Sequence, residues 1–344
     1  MEIAIGLLTI ALGAFCQSSS YVPINKIRSW NWETYWLVQG IFAWLVFPLL
    51  GALMAVPEGH SLFELFTPEN RLNVFMTIVF GVLWGVGGLT FGLSMRYLGV
   101  SLGQSISLGT CAALGTIMGP VLLHAFFPEQ GHLATLTASV ITGVVVTLAG
   151  IAVIGIAGSM KASSLSEEEK KAAVKDFNFP KGLAIALLSG FMSGCFNIGL
   201  EFGKDINFGD LTPELLKTLP ATLLVTIGGF VTNAAYCLYQ NTKNRSWKDF
   251  RKKEVWANNL IFCMLAGILW YSQFFGLSIG KGFLTSSQTL TSLAFCILMA
   301  LDVVFSNVWG IILKEWKGCS RKTIMVLSTG IAILIVATFL PQFI

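Results

Sequence analysis

Polar side chains inside otherwise apolar stretches are where this chain has chemistry to offer. An amide or hydroxyl buried without a partner costs a few kcal/mol, so each such residue needs a reason. Gln17, Gln104, Asn197, Gln273 and Gln288 are five such amides. Each can hydrogen-bond a neighbouring helix. As a set they supply the mixture of donors and acceptors that a polyhydroxylated solute requires. Trp84 and Trp270 stand mid-stretch, the latter beside Tyr271. Two facing indoles can sandwich the apolar face of a sugar ring or simply fill the core. Asp302 is the deepest charge, and an intramembrane carboxylate either carries a proton or holds another helix. Glu201 is a second acid, with Lys204 one turn on to neutralise it. Glu33 and Arg96 could pair as a gate latch or remain an interfacial charge pair.

An internal repeat strengthens part of this set. GVLW (81–84) returns as GILW (267–270), FGLS (91–94) as FGLS (275–278), and QSIS (104–107) as QTLT (288–291). The three matches lie on nearly one diagonal, as a duplicated unit requires. The repeat pairs Trp84 with Trp270 and Gln104 with Gln288. The first copy also holds a one-turn break at Met95–Gly99.

The elements that must position these residues are membrane helices. The chain has 344 residues, 54% hydrophobic and 12% charged, whereas soluble domains carry roughly 25% charged residues. Ten stretches are long enough to span a bilayer: 3–22, 35–56, 72–95, 98–123, 133–157, 182–203, 219–240, 256–280, 284–312 and 322–341. No basic residue precedes the first one, so it is expected to be retained rather than cleaved. On span 9, Gln288, Ser292, Phe295, Met299, Asp302 and Ser306 fall within about 40° of one line at 100° per residue. This polar-edged stripe should face the bundle interior. Glycines four apart (Gly81/Gly85, Gly88/Gly92, Gly99/Gly103, Gly115/Gly119) mark close helix contacts. Trp30, Trp32, Trp36, Trp247, Trp256 and Trp316 sit at span ends, where indoles anchor at the membrane interface.

Basic residues predict the orientation. Eighteen of the 22 Lys and Arg lie in connections after odd-numbered spans, which places those connections in the cytoplasm and both termini outside. The longest polar connection, 158–181, divides the chain into five-span halves, 1–157 and 182–344. A capping-box pattern at Ser166–Glu169 predicts a short surface helix through Lys175. An odd number of spans per half makes the second copy enter the membrane inverted. Transporters built this way hold their substrate near mid-membrane between the repeats.

Other functions lack residues to support them. No phosphate-cradling GxxxxGK[ST] loop, HExxH or GxSxG motif occurs, which leaves motor ATPase and the commoner hydrolase chemistries unsupported. A lipid-linked-sugar enzyme would need converging carboxylates or a histidine cluster, and a sensor would need a cytoplasmic output domain. Six of seven cysteines lie in apolar spans with no metal-like spacing, and His60, His124 and His132 read as surface or interfacial. No cofactor, metal or nucleic-acid partner is expected.

Several strings match a known pattern: W-N-W-E-T-Y-W (Trp30–Trp36), L-W-G-V-G (Leu83–Gly87), F-G-L-S-M-R-Y-L-G (Phe91–Gly99), G-T-I-M-G-P (Gly115–Pro120), F-N-F-P-K-G-L (Phe177–Leu183), L-W-Y-S-Q-F-F-G (Leu269–Gly276) and L-K-E-W (Leu313–Trp316). With these the chain resembles, end to end, the L-rhamnose–proton symporter family of the drug/metabolite transporter superfamily. The resemblance implies an all-α membrane protein with ten helices in two inverted five-helix repeats. It implies a bacterial inner membrane and import of L-rhamnose, or a related deoxysugar, with a proton. An exporter of metabolites or drugs on the same scaffold is the alternative. The family pattern carries an acid shortly after the Gln288 position, where this chain has Leu290. Asp302 and Glu201 therefore both stand as candidates for the proton.

Overall fold

The computed structural model describes residues 2–130, 132–164, 166, 168 and 177–340, with the backbone alone at 100, 101, 104, 130 and 162. Among the described residues, ten helices are long and apolar enough to cross a membrane. We number them α1 (Glu2–Ile24) and α2 (Trp32–Met54), α3 (Arg71–Leu98), α4 (Val100–Phe126), α5 (Ala138–Ser164), α6 (Phe179–Phe202), α7 (Leu219–Lys243), α8 (Trp256–Phe283), α9 (Gln288–Ile312) and α10 (Arg321–Phe339). Leu8, Val145 and Met325 are more than half exposed on these helices. Such faces suit hydrocarbon, because lipid tails are as apolar as the side chains.

Helix limits follow local chemistry. The expected break at Met95–Gly99 is confined to Gly99, whose φ of +86° is reserved for glycine. The expected start of span 9 at residue 284 moves to Gln288, because Ser287 caps the helix by accepting a bond from the Leu290 N–H. Helix α5 continues past residue 157 to Ser164, and Lys161 lies over the Trp316 ring at 4.9 Å. The surface helix expected from Ser166 to Lys175 lies, apart from residues 166 and 168, outside the described residues.

Packing divides the chain into two units, Met1–Val86 with Gly199–Phe283 and Gly87–Ile198 with Leu284–Ile344. In the first unit, α1 and α8 run antiparallel with their backbones nearly touching. A Cβ at Gly13 would come 3.1 Å from the Gln273 Cα, and one at Gly280 would come 2.9 Å from the Gly6 carbonyl. The start of α3 packs on α7 in the same way, with Gly81 against the Val225 carbonyl and Gly85 against Thr232. Helix α2 packs on both α7 and α8. Its middle is a π-helical turn, Phe42–Val46, in which the Phe47 N–H reaches back to the Phe42 carbonyl. Pro48 follows, and its ring and missing N–H disfavour a regular α-turn there.

In the second unit, α4 packs on α9 and α5 on α10. The Asn307 Nδ2 donates to Ser105 Oγ at 2.7 Å, and Asn197 Nδ2 donates to the Gly115 carbonyl at 2.8 Å. Three of these pairings, α2·α7, α4·α9 and α5·α10, join helices five apart in the chain. Not every expected glycine contact forms: a Cβ at Gly92 would meet nothing within 4 Å.

Candidate substrate-binding site

Within the first unit, α2, α3 and α8 bring three indoles together. Trp84 and Trp270 stack with centroids 5.6 Å apart and planes 30° apart. Trp44, from the π-turn of α2, meets both edge-on, at 5.9 Å from Trp84 and 6.1 Å from Trp270. At this separation no sugar ring fits between Trp84 and Trp270, so a sugar must part the stack or use an outer face. Glycines shape the cluster. A Cβ at Gly229 would come 2.0 Å from the Trp84 ring, and one at Gly40 would come 2.6 Å from Trp44.

Buried polar atoms surround the indoles. Gln273 Nε2 donates to the Trp270 carbonyl at 2.9 Å. Gln17 is 4% exposed, and its Oε1 accepts no hydrogen bond from the protein. The antiparallel register that sets Gly13 against Gln273 and Gly276 places Gln17 one turn further, level with Trp270. The Tyr271 hydroxyl is buried without a partner and aims at Gly51, where a Cβ would lie 2.2 Å away. Gln39 Oε1 and Trp44 Nε1, both on α2, are likewise buried and unbonded. Leaving such groups unpaired costs about 1–3 kcal/mol each, and several on one set of packed helices mark a place where hydroxyls can bind.

Trp36 continues the indole cluster along α2. It lies 5.7 Å from Trp44 and stacks on Trp32 at 5.5 Å. Its Nε1 donates to Asn233 Oδ1 at 2.9 Å, while Asn233 Nδ2 donates to the carbonyls of Gly85 and Gly229. Trp30, Trp36 and Trp316 are buried in protein contacts, which corrects the interfacial placement expected from their positions at span ends. Of the histidines, His132 is also buried, at 7% exposed. His60 is exposed and bonds Glu64 at 2.7 Å.

The remaining expected residues distribute as follows. Glu33 Oε1 accepts from Ser246 Oγ at 2.5 Å and Asn244 Nδ2 at 3.1 Å, which ties it to the α7–α8 connection. Arg96 is exposed in the last turn of α3 and belongs to the second unit. Glu201 is partly exposed in the last turn of α6. In the second unit, Asp302 is fully buried on α9 together with Ser306 and Asn307. Asn197 is buried with its Oδ1 unbonded. Gln288 is the first residue of α9 and is exposed. Gln104 lies on α4, and its side chain is outside the described residues.

Below the indoles, a second polar cluster fixes the α1–α2 and α7–α8 connections. Asp249 Oδ2 accepts from the Asn31 N–H at 2.7 Å, Asn31 Nδ2 at 2.8 Å and Thr34 Oγ1 at 3.2 Å. Lys252 Nζ pairs with Asp249 Oδ1 at 2.6 Å and also reaches the Ser29 carbonyl. Burial pushes the Asp249 carboxyl up, but the bonds from Asn31 and Lys252 outweigh it and hold the pKa below the usual value. Asn259 adds a two-way bond to the Arg28 backbone.

Ten apolar helices long enough to span a bilayer, together with the sequence relationships that follow, make this a multi-pass membrane transporter. The chain belongs to the L-rhamnose-proton symport protein (RhaT) family, whose sequence model matches residues 1–342. It is 31% identical over 342 residues to the L-rhamnose-proton symporter of Cronobacter sakazakii, covering 97% of this chain and 96% of that one. The L-rhamnose-proton symporters of Yersinia pestis and Yersinia pseudotuberculosis are each 30% identical over 345 residues, with the same coverage.

Proposed function

We propose that this protein imports L-rhamnose together with a proton across a bacterial inner membrane. The observation that carries this reading is the end-to-end family match, with relatives named L-rhamnose-proton symporters aligned over 97% of the chain. The site chemistry supports it. L-Rhamnose has hydroxyls that need donors and acceptors and a methyl group that suits an indole wall. Trp84 and Trp270 pack the ring and methyl group, and Gln17, Tyr271 and Gln273 bind hydroxyls. Gln104, Asn197 and Gln288 complete the polar set in this reading. Asp302 carries the proton, with Glu201 as the second candidate, and Glu33 and Arg96 act at the inner gate.

Transport proceeds by alternating access between two inverted five-helix repeats, residues 1–157 and 182–344, joined by a cytoplasmic linker. The pairing of helices five apart supports a duplicated origin, because equivalent helices meet across a pseudo-two-fold axis. Both termini lie on the outer side. The test is to add L-rhamnose to lightly buffered, de-energised cells expressing the protein. Alkalinisation of the medium without sodium is the expected result. Sugar entry without a pH change, or one that depends on sodium, would overturn proton coupling.

A further inference from the structure

Trp44 carries three costs at once. It sits in a π-helical turn, a rare geometry that is frequent at functional sites. Its ring occupies space available only because residue 40 is glycine. Its Nε1–H is buried at a residue 3% exposed and has no hydrogen-bond acceptor in the protein. A core position with no further demand would be served by phenylalanine, which fills apolar space without an orphan donor. The Trp44 ring meets both repeat-matched indoles edge-on, and its buried donor is left needing an oxygen acceptor.

We propose that the Trp44 indole N–H is a specificity-determining donor of the transport site, bonding one hydroxyl of the deoxysugar when the Trp84–Trp270 stack parts around it. This rests on the transport reading above. It adds that one hydroxyl is recognised through a residue outside the three matched strings of the repeat. The Trp44 ring packs against both stacked rings, so parting them opens space beside it. Sugar binding gives the unpaired donor an acceptor. A hydroxyl at the right carbon is thereby favoured over hydrogen, because a site built around an unpaired donor rejects analogues lacking the acceptor.

The experiment uses the full-length protein in proteoliposomes with an imposed pH gradient. Wild type is compared with Trp44→Phe and with replacement of Trp44 by β-(3-benzothienyl)alanine, which keeps the bicyclic shape and exchanges N–H for sulfur. Inhibition of labelled L-rhamnose uptake is measured for L-rhamnose and its 2-, 3- and 4-deoxy analogues. Both variants should weaken L-rhamnose roughly five- to thirty-fold. One deoxy analogue, the one without the accepting hydroxyl, should bind wild type and variants alike. An equal loss across the whole panel, or no loss in the shape-preserving variant, overturns the assignment. Failure of wild type to take up L-rhamnose would instead sink the transport reading, and this inference with it.

Discussion

Trp84 stacks on Trp270 at 5.6 Å, and its ring fills the space left by the missing side chain of Gly229 on α7. The stack is thus positioned by a third helix that contributes no side chain to it. A methyl group at residue 229 would sit 2.0 Å from the Trp84 ring and must displace it. Gly229→Ala should cost about 1–3 kcal/mol of stability through overpacking and raise the KM for L-rhamnose about tenfold or more. Gly92→Ala, where the methyl meets open space, should leave uptake unchanged. Initial uptake rates against sugar concentration, with thermal unfolding in detergent, separate the two variants. Equal effects would remove the stack from the site.

Asn233 joins three elements: it accepts from Trp36 Nε1 and donates to carbonyls of α3 and of its own helix. Asn233→Leu leaves the Trp36 N–H unpaired in an apolar interior. A loss of about 1–3 kcal/mol follows for that stranded donor. The melting temperature should fall accordingly. Trp36→Phe removes the donor as well, so the double variant should be more stable than the sum of single losses implies. Strict additivity would show that the two side chains do not act together.

Spans and the indole pair were legible in the sequence because their signals are local and repeated. Apolar runs of about twenty residues declare helices, and GVLW with GILW marked Trp84 and Trp270 as equivalents. Trp44 lay outside the repeated strings, and its role depends on a π-turn that composition does not encode. Gln39 and Asn233 could have been found by the rule that singled out Gln17, since each is an amide inside an apolar span. Gln288 shows the opposite effect: a span that begins at residue 284 makes it interior by register. The cap at Ser287 makes it the exposed first residue of α9.

Asp249 gives a pH-dependent contribution whose sign is fixed. Its folded pKa lies below the ordinary value, so the ionised form is favoured by folding. That stability is fully present above the unfolded pKa of about 4 and disappears as pH falls through the lower folded value. Between pH 5 and 8 the network should therefore hold constant strength. Asp249→Asn puts an NH₂ or a weaker acceptor against the Asn31 and Lys252 donors. It should lower the melting temperature at pH 7, and acidification from pH 5 to below pH 4 should then cost the variant less further stability than it costs wild type. A wild-type transition that weakened between pH 8 and 6 would point to a different group.

Basic residues concentrate in the connections after odd-numbered spans, and the polar cluster around Asp249 lies in one of them. Alkaline phosphatase fused after residue 344 should be active, since it folds only outside the cytoplasm. A fusion in the α7–α8 connection near Lys248 should be inactive. Reversed activities would invert the orientation and place Glu33 at the outer mouth.

In the transport reading proposed above, Asp302 is the residue assigned to carry the proton. The family pattern expects an acid shortly after Gln288, and this chain has Leu290 there, 1% exposed and unable to titrate. Twelve residues further along the same helix, about 18 Å at 1.5 Å per residue, stands Asp302 with no exposed surface. A buried carboxyl inside a membrane-spanning helix is the default candidate for proton coupling. Asp302→Asn fixes the group in a neutral, hydrogen-bonding form. It should abolish accumulation of L-rhamnose driven by a pH gradient while sparing counterflow exchange of labelled for unlabelled sugar. Glu201→Gln should leave both intact, because Glu201 is partly exposed at the end of α6. If pH-driven uptake survives in Asp302→Asn and fails in Glu201→Gln, the two assignments exchange.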